Sequence, residues 1–187
     1  MADPKLIEEA RRILADVTPL AFDCGTLCGH RCCTDFTPDA ELGVYLLPGE
    51  LPLFDGTEDW INWTFHSTQE YDFAPSWGHH GQIPFMMCHK LCNREKRPFE
   101  CRTYPLVPYL AEDGGLEMRY APWAEGVCPL TERYRIDQLE PAFVKAARQA
   151  WRVLLADPEM LDHVRWVTAQ LKDWETLPHI DLEEEEG

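Results

Sequence analysis

Apolar residues follow a helical rhythm at both ends of the chain and strand-like runs in the middle. Near the N-terminus, Leu6, Ile7, Ala10, Ile13 and Leu14 line up on one helical face. Asp3 stands as N-cap and Pro4 at the first helical position. Glu8 and Glu9 precede Arg11 and Arg12, which matches the helix dipole. Thr18-Pro19 predicts the end of this helix by about that point. Toward the C-terminus, Pro141 opens a second helix, with Phe143, Ala147, Trp151 and Leu154 on its apolar stripe. Asp157-Pro158-Glu159 supplies a cap, a first-turn proline and a first-turn acid. Met160, Val164, Val167 and Leu171 then repeat the helical spacing. The short link predicts that these two helices, about 140–173, form an antiparallel pair. The acidic run 181–187 reads as a solvated tail.

Between the helices the pattern changes. Gly43 to Leu47 reads as a short strand stopped by Pro48-Gly49. Residues 51–85 carry Trp60, Trp63, Phe65, Tyr71, Phe73, Trp77 and Phe85 among turn formers. Their periodicity is poor, and the segment reads as irregular with short strands, its aromatics covering the core. Leu106–Leu110 and Leu116–Tyr120 flank the turn Ala111-Glu-Asp-Gly-Gly115, which predicts a hairpin. Pro108 places the first of these strands at a sheet edge. The expected architecture is a single α+β domain over residues 1–187. An N-terminal helix and a C-terminal helix pair pack around a small antiparallel sheet and an irregular cysteine-bearing centre.

Composition narrows the partners. The chain has 187 residues, enough for a real core, and a formal charge of −16. That charge argues against nucleic acid, which needs clustered Lys and Arg. No apolar run reaches the length of a membrane span, and the N-terminal residues lack an apolar signal core. The expected compartment is the cytoplasm, where the eight cysteines read as metal-binding or redox groups, not as disulfides.

The thiols are clustered. Cys24, Cys28, Cys32 and Cys33 occupy one stretch, Cys88, Cys92 and Cys101 a second, and Cys128 follows. Soft thiolates close together suit zinc or an iron–sulfur cluster. Cys32 and Cys33 are adjacent, and in extended backbone they would point to opposite sides. That favours two sites or one multinuclear site. The hairpin returns the chain so that Cys128 comes near Cys101. All eight are therefore candidate ligands: Cys24, Cys28, Cys32, Cys33, Cys88, Cys92, Cys101 and Cys128. Iron–sulfur is favoured over zinc because tight multi-thiol loops suit it. Loss of the metal should loosen the whole domain, since it would cross-link distant segments.

The stretch Cys24 to Cys33, with Arg97-Pro98-Phe-Glu-Cys101-Arg102-Thr-Tyr104-Pro105, resembles the YkgJ-type cysteine-cluster family, described as a zinc- or iron-chelating domain. That family is described by eight cysteines and an Arg-Pro-x-x-Cys-Arg-x-Tyr-Pro stretch. The resemblance covers about residues 20 to 130, and the Cys-x3-Cys-x3-Cys-Cys spacing here is wider than the family's common one. The family includes a flagellin lysine N-methylase, so the resemblance implies, as one alternative, a metal-dependent enzyme acting on a protein substrate. A second alternative is a non-catalytic module that docks a protein partner and is stabilised by structural zinc.

Other residues add less. Arg102 is expected to offset thiolate charge or to bind a cofactor anion, whereas Arg97 reads as an ordinary surface or carboxylate pair. His30 and His89 sit inside the thiol stretches but are not needed as ligands when eight thiols are at hand. His79-His80 reads as an exposed pair able to bind metal. Glu50 reads as a cap, and Tyr104-Pro105 as a turn. The three-cysteine spacing of radical S-adenosylmethionine enzymes is not met, because Arg31 occupies the required position. Dinucleotide, phosphate-loop, His-Glu-x-x-His and Gly-x-Ser-x-Gly motifs are missing, and Ser67 and Ser76 are the only serines.

Overall fold

The computed structural model describes residues 3–34 and 43–177. The acidic run 181–187 lies outside the described residues. Helix α1 (Pro4–Ile13) starts where the side chain of Asp3 accepts from the Lys5 amide at 3.0 Å. It stops at Leu14, well upstream of Pro19, because the Leu14 amide already bonds back to the carbonyls of Arg11 and Arg12. Ile7, Ala10 and Leu14 are buried, as the stripe requires.

Six α-helices and five strands are described. After α1 come the one-turn helix α2 (Arg31–Thr34) and strands β1 (Gly43–Tyr45), β2 (Ile61–Ser67) and β3 (Gln82–Cys88). Then follow the short helix α3 (Phe99–Thr103), strands β4 (Leu106–Leu110) and β5 (Leu116–Tyr120), and a second short helix, α4 (Pro129–Arg133). Helices α5 (Pro141–Leu154) and α6 (Pro158–Thr176) close the chain.

Two small antiparallel sheets form. In the first, β3 lies between β1 and β2, with Ile61 opposite Cys88 and Ser67 opposite Gln82. This regular pair falls inside the segment whose pattern reads as irregular. Alternation of Ile61, Trp63 and Phe65 is present, but Phe65 is half exposed, so the apolar face of β2 is only partly used. The second sheet is the β4–β5 hairpin, with Leu106 opposite Tyr120 and Leu110 opposite Leu116. Its turn needs a left-handed residue, supplied by Gly114 at φ 81°.

The stripes predicted for the last two helices are buried in full: Phe143, Ala147, Trp151 and Leu154 on α5, and Met160, Val164, Val167 and Leu171 on α6. The two helices meet where Trp151 of α5 stacks on His163 of α6 at 6.0 Å. Beyond that contact α5 packs mainly on α1, and α6 on β4 and on the 3-10 segment Pro75–His80. Val167 and Leu171 cover Tyr109, and the Thr168 hydroxyl accepts the Leu110 amide at 3.0 Å. The result is one α+β domain. Its main core is sealed by α1, α5 and the hairpin, and a satellite core of Leu46, Trp60, Ile61 and Met86 lies beneath the three-stranded sheet.

Candidate metal centre

Cys24, Cys28, Cys32, Cys101 and Cys128 sit at or beside helical turns, whereas Cys88 ends β3. Asp23 caps a 3-10 turn, Cys24–Leu27, by accepting the Gly25 amide at 3.0 Å. Cys28 ends that turn, and Gly29 (φ 63°) and His30 (φ 60°) reverse the chain in left-handed geometry. Gly25 is required for a different reason: a Cβ there would lie 2.0 Å from His30 Nδ1. Cys32 and Cys33 fall on α2, Cys101 on α3, and Cys128 is the residue that opens α4. The Asp23-Cys24 cap signal is local and legible in the sequence, although residues 20–40 read there as loop.

These elements meet around one cleft of about 70 Å³ lined by Cys24, Cys28, Cys32, Cys101 and Cys128. The hairpin brings in the last two. The chain enters β4 from α3 and leaves β5 toward α4 at the same end, and the Ala121 amide bonds to the Pro105 carbonyl at 2.9 Å. The side chain of Cys33 lies outside the described residues, so its predicted role has no structural counterpart here. Its backbone is helical, however. The expectation that Cys32 and Cys33 oppose each other assumed extended backbone, and Arg31–Thr34 is helical.

Cys88 and Cys92 are not among the described residues that line the cleft. They pack against the satellite core of Trp60, Ile61 and Met86. Arg97 spans the two regions: it lines the cleft, and its Nε donates to Cys92 Sγ at 3.3 Å. The sequence reading of the two arginines is therefore reversed for this contact. Arg97, read as a surface group, touches sulfur. Arg102 also lines the cleft, but its Nε donates to the Arg97 carbonyl and its Nη2 to those of Arg94 and Glu95. Arg102 thus holds the 94–97 turn in shape. Arg94 reaches across to the carbonyls of Ala15 and Val17, tying that turn to the end of α1.

The electrostatics hold Cys24 and Cys128 as protonated thiols. Burial pushes the Cys24 thiol up to about 11, with Cys128, Asp23 and Cys28 adding to the rise and Arg97 opposing it. Burial also pushes Cys128 up. Tyr104 is pushed up by burial and then by Cys128, Cys32, Cys101 and Cys28, so its phenol sits among four thiols. Burial and then Arg11 pull Arg102 down to about 10, which leaves it charged at neutral pH. In a chain with only 17 basic residues against 33 acidic ones, Arg94, Arg97 and Arg102 gather on this one cleft.

One residue that the sequence reading assigned only a capping role organises the frame. Glu50 is fully buried. Its Oε1 accepts from the Phe99 amide at 2.6 Å and from Arg11 Nη1 at 3.1 Å, and its Oε2 from the Leu47 amide at 3.3 Å. It thereby binds the start of α3, which carries Cys101, to α1 and to the turn after β1. Burial pushes its carboxyl up, and Arg11 with the two amides pulls it back. The histidines of the thiol stretches are turned to other tasks. His89 Nε2 donates to the Asp59 carbonyl at 2.8 Å, and the His30 ring lies over Gly25.

Among the described residues no three thiol sulfurs lie within 4.8 Å of one another. Thiolates on one tetrahedral zinc sit about 3.8 Å apart, given Zn–S bonds of about 2.3 Å. The cleft thiols face one shared concavity. No protein-family model matches this chain, and no curated protein or solved structure matches it.

Proposed function

We propose that this protein binds an iron–sulfur cluster in the cleft, with ligands drawn from Cys24, Cys28, Cys32, Cys101 and Cys128. The observation that carries this reading is the convergence of five thiols from four separate turns on one arginine-lined cleft. Five thiols on one cleft exceed the four that a single tetrahedral zinc takes, which favours a multinuclear group. When bound, such a group supplies one-electron redox chemistry. The chain's own residues hold and screen it. Arg97 links the cleft to Cys92, Arg102 fixes the backbone from which Arg97 projects, and Tyr104 and Pro105 close one wall. The metal also joins α2, α3, α4 and the Cys24–Leu27 turn, so its binding contributes directly to folding.

Anaerobic purification with iron, sulfide and zinc analysis tests the proposal. The expected outcome is stoichiometric iron and sulfide with broad visible absorption that a reductant bleaches. Cys101→Ser and Cys128→Ser should lose most of the iron, and His30→Ala should keep it. Folded protein free of metal, or a colourless protein with stoichiometric zinc, overturns the iron–sulfur assignment.

A further inference from the structure

A second group of ligand atoms lies away from the thiols. The 3-10 segment Pro75–His80 runs along the first turns of α6 and is fastened to it at three points. The Ser76 amide donates to Asp162 Oδ2 at 2.9 Å, Trp77 stacks on His163 at 4.6 Å, and His80 Nε2 lies 3.0 Å from Glu159 Oε2. Glu159, Asp162 and His163 share one face of α6, so the segment is held in a single register. His79 completes the group, with Nε2 3.3 Å from Glu159 Oε1.

We propose that His79, His80 and Glu159 bind a divalent transition-metal cation of the zinc class. The ligand atoms of this trio lie within 4.8 Å of one another, which no other described group of His, Cys, Asp or Glu achieves. In a tetrahedral site with bonds of about 2.0–2.1 Å, neighbouring ligand atoms sit about 3.3 Å apart. His79 Nε2 lies 3.3 Å from Oε1 and His80 Nε2 3.0 Å from Oε2, so one carboxylate faces both imidazole nitrogens at about that separation. The tautomer is also set for ligation. His79 Nδ1 lies 2.6 Å from the Ser76 carbonyl, which can only accept, so Nδ1 carries a proton. In the neutral ring the Nε2 lone pair then faces the Glu159 carboxylate, and a proton or a cation must lie between them. A carbonyl on the second ring nitrogen is the usual way in which a metal-binding histidine is oriented. His80 and Glu159 are largely buried, and His79 is half exposed at 56%, so solvent reaches the group from the His79 side.

Cobalt(II) chloride is the probe, because thiolate-bound cobalt gives intense sulfur-to-metal charge-transfer absorption and a His–His–Glu site gives only weak d–d bands. Titrated anaerobically into the full chain, cobalt should bind in one further equivalent that adds no charge-transfer intensity. Zinc chloride should displace that equivalent. His80→Ala and Glu159→Gln should each weaken it by at least about tenfold, the lower end of what even an outer partner contributes. Neither should alter the charge-transfer part. Glu159→Gln keeps the shape of the side chain and the Asp157 cap of α6, so it decides the matter if His80→Ala fails to fold. Equal cobalt uptake by wild type and both variants, or no uptake outside the thiols, overturns the proposal and leaves these contacts as ion pairs only. Failure of the thiol centre would instead remove the charge-transfer bands and leave this equivalent in place.

Discussion

Replacing Glu50 by glutamine should destabilise the protein far more than an isosteric change on the surface. The carboxylate is fully buried and holds three donors: the Phe99 amide at 2.6 Å, Arg11 at 3.1 Å and the Leu47 amide at 3.3 Å. Glutamine keeps one acceptor oxygen, which Phe99 can retain. Its amide nitrogen then takes the Oε2 position and confronts the Leu47 amide, while Arg11 loses the charge it faces. Removing one partner of a buried ion pair costs about 3–5 kcal/mol, because the other charge is left uncompensated. Arg11 keeps its 2.8 Å bond to the Glu95 carbonyl, which places the expectation at the lower end, about 3 kcal/mol. Urea denaturation at neutral pH reads this as a midpoint lowered by about 1–3 M, given a slope of about 1–3 kcal/mol per M. The variant should also lose metal more readily, since α3 presents Cys101. Arg11→Met removes the other charge, so the double variant should be less destabilised than the sum of the singles by about 1–3 kcal/mol. A Glu50→Gln variant within about 0.5 kcal/mol of wild type, the range of ordinary surface changes, would refute the view that this carboxylate frames the site.

Two further outcomes follow from the same geometry. Phe99→Ala should cost about 3–5 kcal/mol, because the ring is fully buried edge-on to Trp151 at 4.9 Å and anchors α3 to α5. Thermal unfolding and metal content should fall together, and an unchanged melting temperature would contradict it. The metal-free protein should lose stability as pH rises from about 9 to about 11, read by urea midpoints across that range. Burial raises the folded Cys24 thiol from 9.0 to about 11, so its contribution is full below 9 and disappears as pH passes the folded value. The metal-loaded protein should lack this loss, since its thiols are already deprotonated, and an identical alkaline profile for both forms would count against Cys24 as a ligand.

No helix among the described residues is long and apolar enough to cross a membrane. Helices α1, α5 and α6 are legible in the sequence because each combines a first-turn proline with an apolar stripe, and α1 and α6 add an Asp cap, all local signals. The β4–β5 hairpin is equally local: two apolar runs and a glycine turn. So too is the clustering of the thiols, and the inference that the hairpin returns Cys128 toward Cys101 holds, since both line the cleft.

Contacts set by distant segments were decided only by the tertiary structure. The β2–β3 pairing joins strands across residues 68–81, and nothing in either strand encodes the register of Ile61 with Cys88. The main partners of α5 and α6 are α1 and β4, which lie far from them along the chain. That Cys88 and Cys92 pack on the satellite core and are not among the described residues that line the cleft is something thiol spacing cannot express. The Glu50 frame and the meeting of His79 and His80 with Glu159 join residues 39 to 80 positions apart. Local pattern reports what a residue's neighbours along the chain require. Convergence of side chains from remote elements is fixed by packing, because only the packed core sets which faces meet.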